Sequence, residues 1–223
     1  MAQADLVRPL RTVLVGLATV ASLGFATGCD PSTFGTGTGT GATAGPAPSA
    51  ITQQLAALTV SSGLSMAGYS RDKFPHWINQ GAGCDTRDVV LQRQGMVVQT
   101  GAKCKITGGQ WTSPYDGRSY SDPQALQIDH LVPLANAWKS GASQWTTKQR
   151  QDFANDLDRP QLIAVTGSVN ESKGDQDPSQ WKPPSRDFWC TYAKDWVQVK
   201  YHYQLTITLA EKGALTDMLG TCS

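Results

Sequence analysis

The five cysteines of this 223-residue chain are the feature that most constrains its fold. They are Cys29, Cys84, Cys104, Cys190 and Cys222. Cysteines of an exported protein normally form disulfides, and an odd number leaves one over. If Cys29 has another role, the remaining four can be joined in three ways. Among these we predict the two shortest loops, Cys84–Cys104 and Cys190–Cys222.

Residues 1–29 have the layout of an export signal. Arg8 and Arg11 precede a stretch without charge, and small residues stand before Cys29. The alternative is a membrane anchor, but the 18 residues 12–29 are diluted by Thr, Ser and Gly. The letters "ATGC" resemble a bacterial lipobox, with Ala26 in place of the usual leucine. We therefore expect an exported bacterial protein, either extracellular or a cell-surface lipoprotein tethered to the membrane through lipidated Cys29.

The rest of the chain divides into a linker and one folded domain. Residues 30–50 are rich in Gly, Thr, Ala and Pro without periodic apolar residues, which predicts a flexible linker. The folded domain is expected over 51–223, with an α+β fold. Predicted strands cover 88–99, 104–114, 125–134 and 161–167, and predicted helices cover 135–141, 146–157, 187–203 and 208–219. Capping-box spacings mark two helix starts, at Thr146–Gln149 and Thr208–Glu211.

The charge of the chain is balanced. The whole chain has a net charge of +1, and 17 basic and 17 acidic side chains remain without residues 1–29. A neutral mature protein has no overall electrostatic attraction for nucleic acid, although a local basic groove is not excluded.

An acid and an imidazole stand side by side in an apolar run, at Asp129–His130. A buried charge is costly unless it is paired or binds a metal. Neighbouring side chains of a regular strand point to opposite faces, but at a strand end before Pro133 both can face one pocket. Asp129 could then bind a hard metal while His130 activates a water. The alternative is a buried histidine satisfied by a backbone carbonyl, with Asp129 capping the turn.

A second polar segment follows the predicted strand 161–167. Asn170 is either a neutral oxygen ligand or a helix N-cap. Lys173 lies one turn further on, where its ammonium could meet a phosphate. No Cys-x-x-Cys, His-Glu-x-x-His or Gly-x-Ser-x-Gly motif occurs in the chain.

The segments "IDHLVPL", "FANDLDRPQLIAV" and "NESKGDQDPSQWKPP" resemble the HNH (ββα-metal) endonucleases. The nearest branch is the exported bacterial, actinobacterial-type proteins with a GmrSD-like HNH domain. The resemblance covers roughly residues 69–222. It implies a ββα-metal core at about 124–184, with additional helices and short strands.

The resemblance also implies roles for individual residues. Asp129 matches the first metal ligand and Asn170 the metal-binding position on the helix. His130 matches the general base that deprotonates water, and Lys173 lies near the site. The residue that orients the histidine has no certain match, and the candidates are Gln161 and Asn155.

The activity implied is metal-assisted hydrolysis of phosphodiester bonds in DNA, with RNA left open and little sequence specificity. The expected metal is Mg²⁺, with Mn²⁺ as the alternative. Arg87 and Trp181 are further candidates for substrate contact. No obligate protein partner is evident.

Two rival functions remain. One is a catalytically silent surface lipoprotein that binds a partner through the same fold. The other is a glycan hydrolase, which needs two close carboxylates. The acidic cluster nearest the motif is Asp175–Asp177.

Overall fold

The strands are short and form three separate antiparallel sheets. We describe them from a computed structural model, in which residues 49–222 are described and belong to one unit of the chain. The first sheet pairs β1 (Asn79–Gly81) with β2 (Cys84–Asp85). The second contains β3 (Met96–Thr100), β4 (Ile106–Thr112) and β5 (Ser119–Tyr120) in that order. The third pairs β6 (Leu126–His130) with β7 (Leu162–Thr166).

The helices of the described residues are concentrated towards the C-terminus. Within residues 49–222 the α-helices are α1 (Ala50–Ala57), α2 (Thr86–Gln94), α3 (Leu134–Lys139), α4 (Thr147–Ala154), α5 (Gly167–Lys173), α6 (Trp189–His202) and α7 (Leu209–Leu219). The α+β fold class is confirmed. The two C-terminal helices begin and end within two residues of their predicted bounds.

Capping boxes define where three of the helices begin. Both predicted capping boxes form, at Thr146–Gln149 before α4 and at Thr208–Glu211 before α7. A third capping box, Asp85–Asp88, begins α2. The prediction of a strand over 88–99 is therefore wrong in its first half, where the chain is helical. The cap at Asp85 and the burial of two successive residues, Val90 and Leu91, favour the helix.

Two apolar clusters form the core, and the chain passes from one to the other at the Asp129–His130 pair. Ile128 packs in the cluster between α2 and the β6–β7 pair. Leu131 packs in the larger cluster around α6. The two polar residues therefore lie where the chain leaves one core and enters the next.

Both predicted disulfides form, Cys84–Cys104 and Cys190–Cys222. The first joins β2 to the turn before β4, and the second joins the start of α6 to the segment after α7. The leader, its lipidation site Cys29 and nearly all of the linker lie outside the described residues. No helix between residues 49 and 222 is long and apolar enough to cross a membrane.

Candidate active site

The β6–β7 pair and α5 bring the two polar segments together. In the antiparallel register His130 lies opposite Leu162 and Asp129 opposite Ile163. Strand β7 runs directly into α5, which packs against both strands. The turn of the chain after β7 therefore carries Asn170 back to the end of β6.

A cleft of about 130 Å³ opens at this place. Asp129 and His130 both line it, although they are neighbours on the chain, because β6 ends at His130. Asn170 lines the same cleft. The remaining lining residues are Arg71, Ile128, Pro133, Leu134, Gly174 and Asp175.

Two buried donors hold the Asp129 carboxylate. The Tyr115 hydroxyl donates to Oδ2 at 2.6 Å, and the Lys173 ammonium lies 3.0 Å from Oδ1 and 2.9 Å from Oδ2. Lys173 also donates to the His130 carbonyl at 3.1 Å. Burial raises the pKa of Asp129 and lowers that of Lys173, while their mutual attraction opposes both shifts. The ion pair fixes the carboxylate at the cleft wall.

The His130 ring is oriented by a backbone carbonyl. Its Nε2 lies 3.0 Å from the Ala154 oxygen. Because a carbonyl can only accept, Nε2 carries the proton and Nδ1 carries the lone pair. Burial lowers the pKa of His130 to about 3, so the ring is neutral at ordinary pH. The contact with the Ala154 carbonyl would also satisfy a histidine that has only a structural role. It leaves the lone pair of Nδ1 available to accept a proton.

Gln161 fixes the turn that follows β6. Its side-chain oxygen accepts from the Val132 amide at 3.1 Å, and its amide group donates to the Val132 carbonyl at 2.9 Å. The Gln161 backbone also accepts from the Leu131 amide at 2.8 Å. The side chain therefore supports the turn beside His130 and makes no hydrogen bond to the ring.

Asn155 fixes the other side of the histidine. Its oxygen accepts from the Thr86 hydroxyl at 2.7 Å and from the Ile78 amide at 3.2 Å. Its amide group donates to the Pro75 carbonyl at 2.8 Å. Asn155 directly follows Ala154, so these bonds anchor the carbonyl that holds His130.

The three residues expected to contact substrate are placed elsewhere. Lys173 is fully buried, and its ammonium is engaged as described above. The Arg87 guanidinium donates to the Pro123 and Leu126 carbonyls at 2.8 and 3.1 Å. The Trp181 ring packs against Tyr115 with 5.3 Å between centroids. None of the three lines the cleft.

A segment that sequence reasoning passed over borders the cleft instead. Arg71 lines it, and the rings of His76 and Trp77 lie 6.2 and 5.5 Å from the His130 ring. Trp77 has a φ of +58°, a conformation that a bulky residue rarely adopts outside functional sites. The one signal in the sequence was an Arg, a His and a Trp within seven residues.

The acidic cluster is split by the fold. Asp175 is exposed and lines the cleft, whereas Asp177 is buried and accepts from the Ser179 amide at 2.8 Å. This leaves Asp129 and Asp175 as the carboxylates of the cleft.

The oxygen donors suit a hydrated hard cation. Asp129 Oδ1 receives one hydrogen bond and keeps a free lone pair. The amide group of Asn170 donates to the side-chain oxygen of Gln127 at 2.8 Å, which leaves the Oδ1 atom of Asn170 free to bind a cation. Mg²⁺ commonly binds one or two protein oxygens and keeps its waters. No group of three or more His, Cys, Asp or Glu side chains within residues 49–222 forms a complete metal cage.

Comparisons with known proteins identify a family and a relative of this chain. Residues 91–218 match the family described as GmrSD restriction endonucleases, C-terminal domain. A protein of Arthroderma benhamiae, named "uncharacterized secreted protein", is 56% identical over 177 residues, which is 78% of this chain and 87% of that protein. No solved structure matches.

The relative is a secreted fungal protein, which agrees with export and gives no support to the predicted bacterial origin. The segment of Arg71, His76 and Trp77 precedes the family match. The match itself contains Asp129, His130 and the whole β6–β7–α5 unit, and by it the chain belongs to the family of GmrSD restriction endonuclease C-terminal domains.

Proposed function

We propose that this protein is an exported, metal-dependent endonuclease that hydrolyses phosphodiester bonds of DNA with low sequence specificity. The observation that carries the proposal is that His130, held through Nε2 so that Nδ1 keeps its lone pair, lines one cleft together with Asp129 and Asn170. In this proposal the β6–β7–α5 unit is the ββα-metal core.

His130 acts as the general base. Nδ1 takes a proton from a water, and the bond from Nε2 to the Ala154 carbonyl stabilises the positive ring that results. In the protein without substrate, the low pKa of His130 would make its ring a weak base. A phosphate anion that enters the cleft raises this pKa, because a nearby negative charge favours the protonated ring. General-base catalysis of this kind is typically worth about 10²–10⁴-fold.

Asp129 and Asn170 would hold the metal. Mg²⁺, or Mn²⁺ in its place, would stabilise the negative charge that develops on the phosphate and the leaving oxygen. Tyr115 and Lys173 act as positioning residues for Asp129, since their hydrogen bonds fix its carboxylate. Gln161 and Asn155 position the two backbone segments that flank His130.

Export is supported by the two disulfides and by the secreted relative. Lipidation of Cys29 would tether the enzyme to a membrane, and palmitate labelling of the full-length chain with a Cys29→Ser control tests it. RNA is the alternative substrate, because the proposed chemistry acts on the phosphodiester group that DNA and RNA share.

The test uses the chain from Ser49, produced with both disulfides formed and incubated with supercoiled plasmid. We expect nicking in Mg²⁺, no nicking in EDTA, and a loss of at least about 100-fold in His130→Ala. His202→Ala is the matched control, because His202 lies exposed at the end of α6, away from the cleft. Cleavage that persists in His130→Ala would exclude this histidine as the base.

One observation favours a second function. The Lys173 ammonium already neutralises Asp129, so the cleft is stable without a metal. A catalytically silent protein that binds a partner through this fold would have the same ion pair. Folded protein that cleaves neither DNA nor RNA with Mg²⁺ or Mn²⁺ would favour this second function.

A further inference from the structure

We infer that Arg71 binds a phosphate of the nucleic-acid substrate at the active-site cleft. The inference rests on the proposed function and adds a substrate-binding residue to it. Arg71 lies outside the residues that match the family.

Arg71 is the single cationic side chain that lines the cleft within the described residues. The other lining residues with ionisable side chains are Asp129, His130 and Asp175. Asp129 is neutralised by Lys173, but no cation pairs with Asp175 in the described part of the chain. Besides the metal proposed at Asp129 and Asn170, Arg71 is therefore the protein group that offers a phosphodiester a positive charge at the cleft.

The Arg71 guanidinium is free to bind. Its side chain is exposed and makes no hydrogen bond or ion pair with any residue between 49 and 222. Burial raises the pKa of Asp129 and lowers that of His130, and the charge of Arg71 opposes the first shift and adds to the second. The guanidinium is therefore close enough for its field to act at the two groups. Its planar fork suits bidentate binding of phosphate oxygens.

The backbone that carries Arg71 is fixed by contacts on both sides. Phe74, three residues on, is fully buried in the larger core cluster. Arg150 donates to the Lys73 carbonyl at 2.9 Å, and Asn155 donates to the Pro75 carbonyl at 2.8 Å. The arginine thus stands on a rigid turn beside His130, which limits the entropy lost when a phosphate binds.

The other basic candidates cannot take this role without breaking existing bonds. The Lys173 ammonium is buried against Asp129, and the Arg87 guanidinium is bound to two carbonyls. A substrate contact by either would cost the hydrogen bonds already made. Arg71 carries no such cost.

The test measures DNA binding apart from cleavage. His130→Ala protein is titrated with a short fluorescent duplex in Mg²⁺ at several KCl concentrations, and anisotropy is recorded. Adding Arg71→Gln should weaken binding about tenfold and reduce the slope of log K against log[salt] by about one. Arg71→Lys should keep the slope and lose part of the affinity. Arg118→Gln is the matched control, because Arg118 is exposed and does not line the cleft.

The outcomes separate this inference from the proposed function. If Arg71→Gln and Arg118→Gln bind with equal affinity and slope while the wild type cleaves DNA, the inference about Arg71 is overturned and the nuclease stands. If the wild type neither binds nor cleaves nucleic acid, both fall. Thermal unfolding of Arg71→Gln should have the same midpoint as that of the wild type. If the expected loss of affinity comes with a lowered midpoint, the loss is due to a disturbed structure and not to a missing phosphate contact.

Discussion

Two lysine–carboxylate pairs are buried in this protein, and they serve different ends. Lys173–Asp129 and Lys200–Glu211 have nitrogen–oxygen distances of 2.9 and 2.7 Å, and both lysines are inaccessible to solvent. Burial lowers the pKa of each lysine, and the partner carboxylate raises it. The local chemistry is therefore nearly the same.

The difference lies in what surrounds the carboxylate. Glu211 is enclosed, receives the Trp196 indole at 2.6 Å and also caps α7. Asp129 lines an open cleft beside His130 and Asn170. The same kind of ion pair is thus enclosed in the core at Lys200–Glu211, whereas at Lys173–Asp129 its carboxylate lines a cleft.

The largest effect is expected when the enclosed pair is broken. Lys200→Met leaves Glu211 buried without its cation, which should cost about 3–5 kcal/mol of unfolding free energy. Urea unfolding at pH 7 measures this cost. The remaining folded protein should still nick plasmid, because Lys200 does not line the cleft. A cost below about 1 kcal/mol would mean that Glu211 is satisfied without Lys200.

The same change in the open pair should cost less. Lys173→Met should lower the unfolding free energy by about 1–3 kcal/mol, because water can reach Asp129 from the cleft. Mg²⁺ should recover part of this loss by binding the freed carboxylate, and a thermal shift titration detects it. Lys200→Met is the control and should show no added response to Mg²⁺. If both variants lose the same unfolding free energy and neither responds to Mg²⁺, the two ion pairs do not differ in the way described.

Two neighbouring tyrosines, Tyr115 and Tyr192, differ in what their hydroxyl groups contact. Tyr115→Phe removes the donor to Asp129 Oδ2 and should cost about 1–1.5 kcal/mol together with a fall in kcat. Tyr192 packs against Tyr115 with 5.7 Å between centroids, and its buried hydroxyl has no hydrogen-bond partner in the described residues. Tyr192→Phe should therefore be neutral or stabilising. Similar losses of activity in both variants would show that the hydroxyl of Tyr115 does not position Asp129.

The smallest effect concerns Asp195, a partly buried carboxylate on which burial outweighs the charge of the neighbouring Lys194. Asp195 makes no hydrogen bond or ion pair with residues 49–222, and burial raises its pKa to about 7. The folded protein therefore holds this proton more tightly than the unfolded chain, whose aspartates titrate near pH 4. Stability due to Asp195 is present below pH 4 and is lost as the pH rises towards 7.

Asp195→Asn should remove this dependence and stabilise the protein by about 1 kcal/mol at pH 8. Urea unfolding of both proteins at pH 5 and pH 8 measures the difference. An equal difference at the two pH values would assign the effect to packing rather than to charge.

Local signals in the sequence predicted much of the fold. Two capping boxes, the strand with Asp129 and both disulfides were found, because each depends on residue spacing or on neighbouring residues. The start of α2 was missed, since its run of valines and a leucine also suits a strand. The cap at Asp85 was the signal that could have decided it.

The candidate site was predictable where short motifs in two stretches of the chain carry it. Asp129, His130 and Asn170 were named from their motifs and lie in one cleft. Arg71 was missed because it reaches the cleft through contacts far along the chain. The bond from Asn155 to the Pro75 carbonyl, for example, joins residues 80 positions apart. No local pattern encodes such a contact.

The hydrogen bonds of Asn155 also bear on when the protein becomes active. Three of them, to Thr86, Ile78 and Pro75, join residues separated by 69 to 80 positions. The carbonyl of Ala154 that orients His130 is therefore secured only after both distant parts of the chain are present and docked. In the proposed exported nuclease, a polypeptide halted midway through export would have its early segment outside without the later one, and it should not cleave nucleic acid. Competence for cleavage would then arrive as a late event of folding, after most of the chain has left the compartment in which it was made.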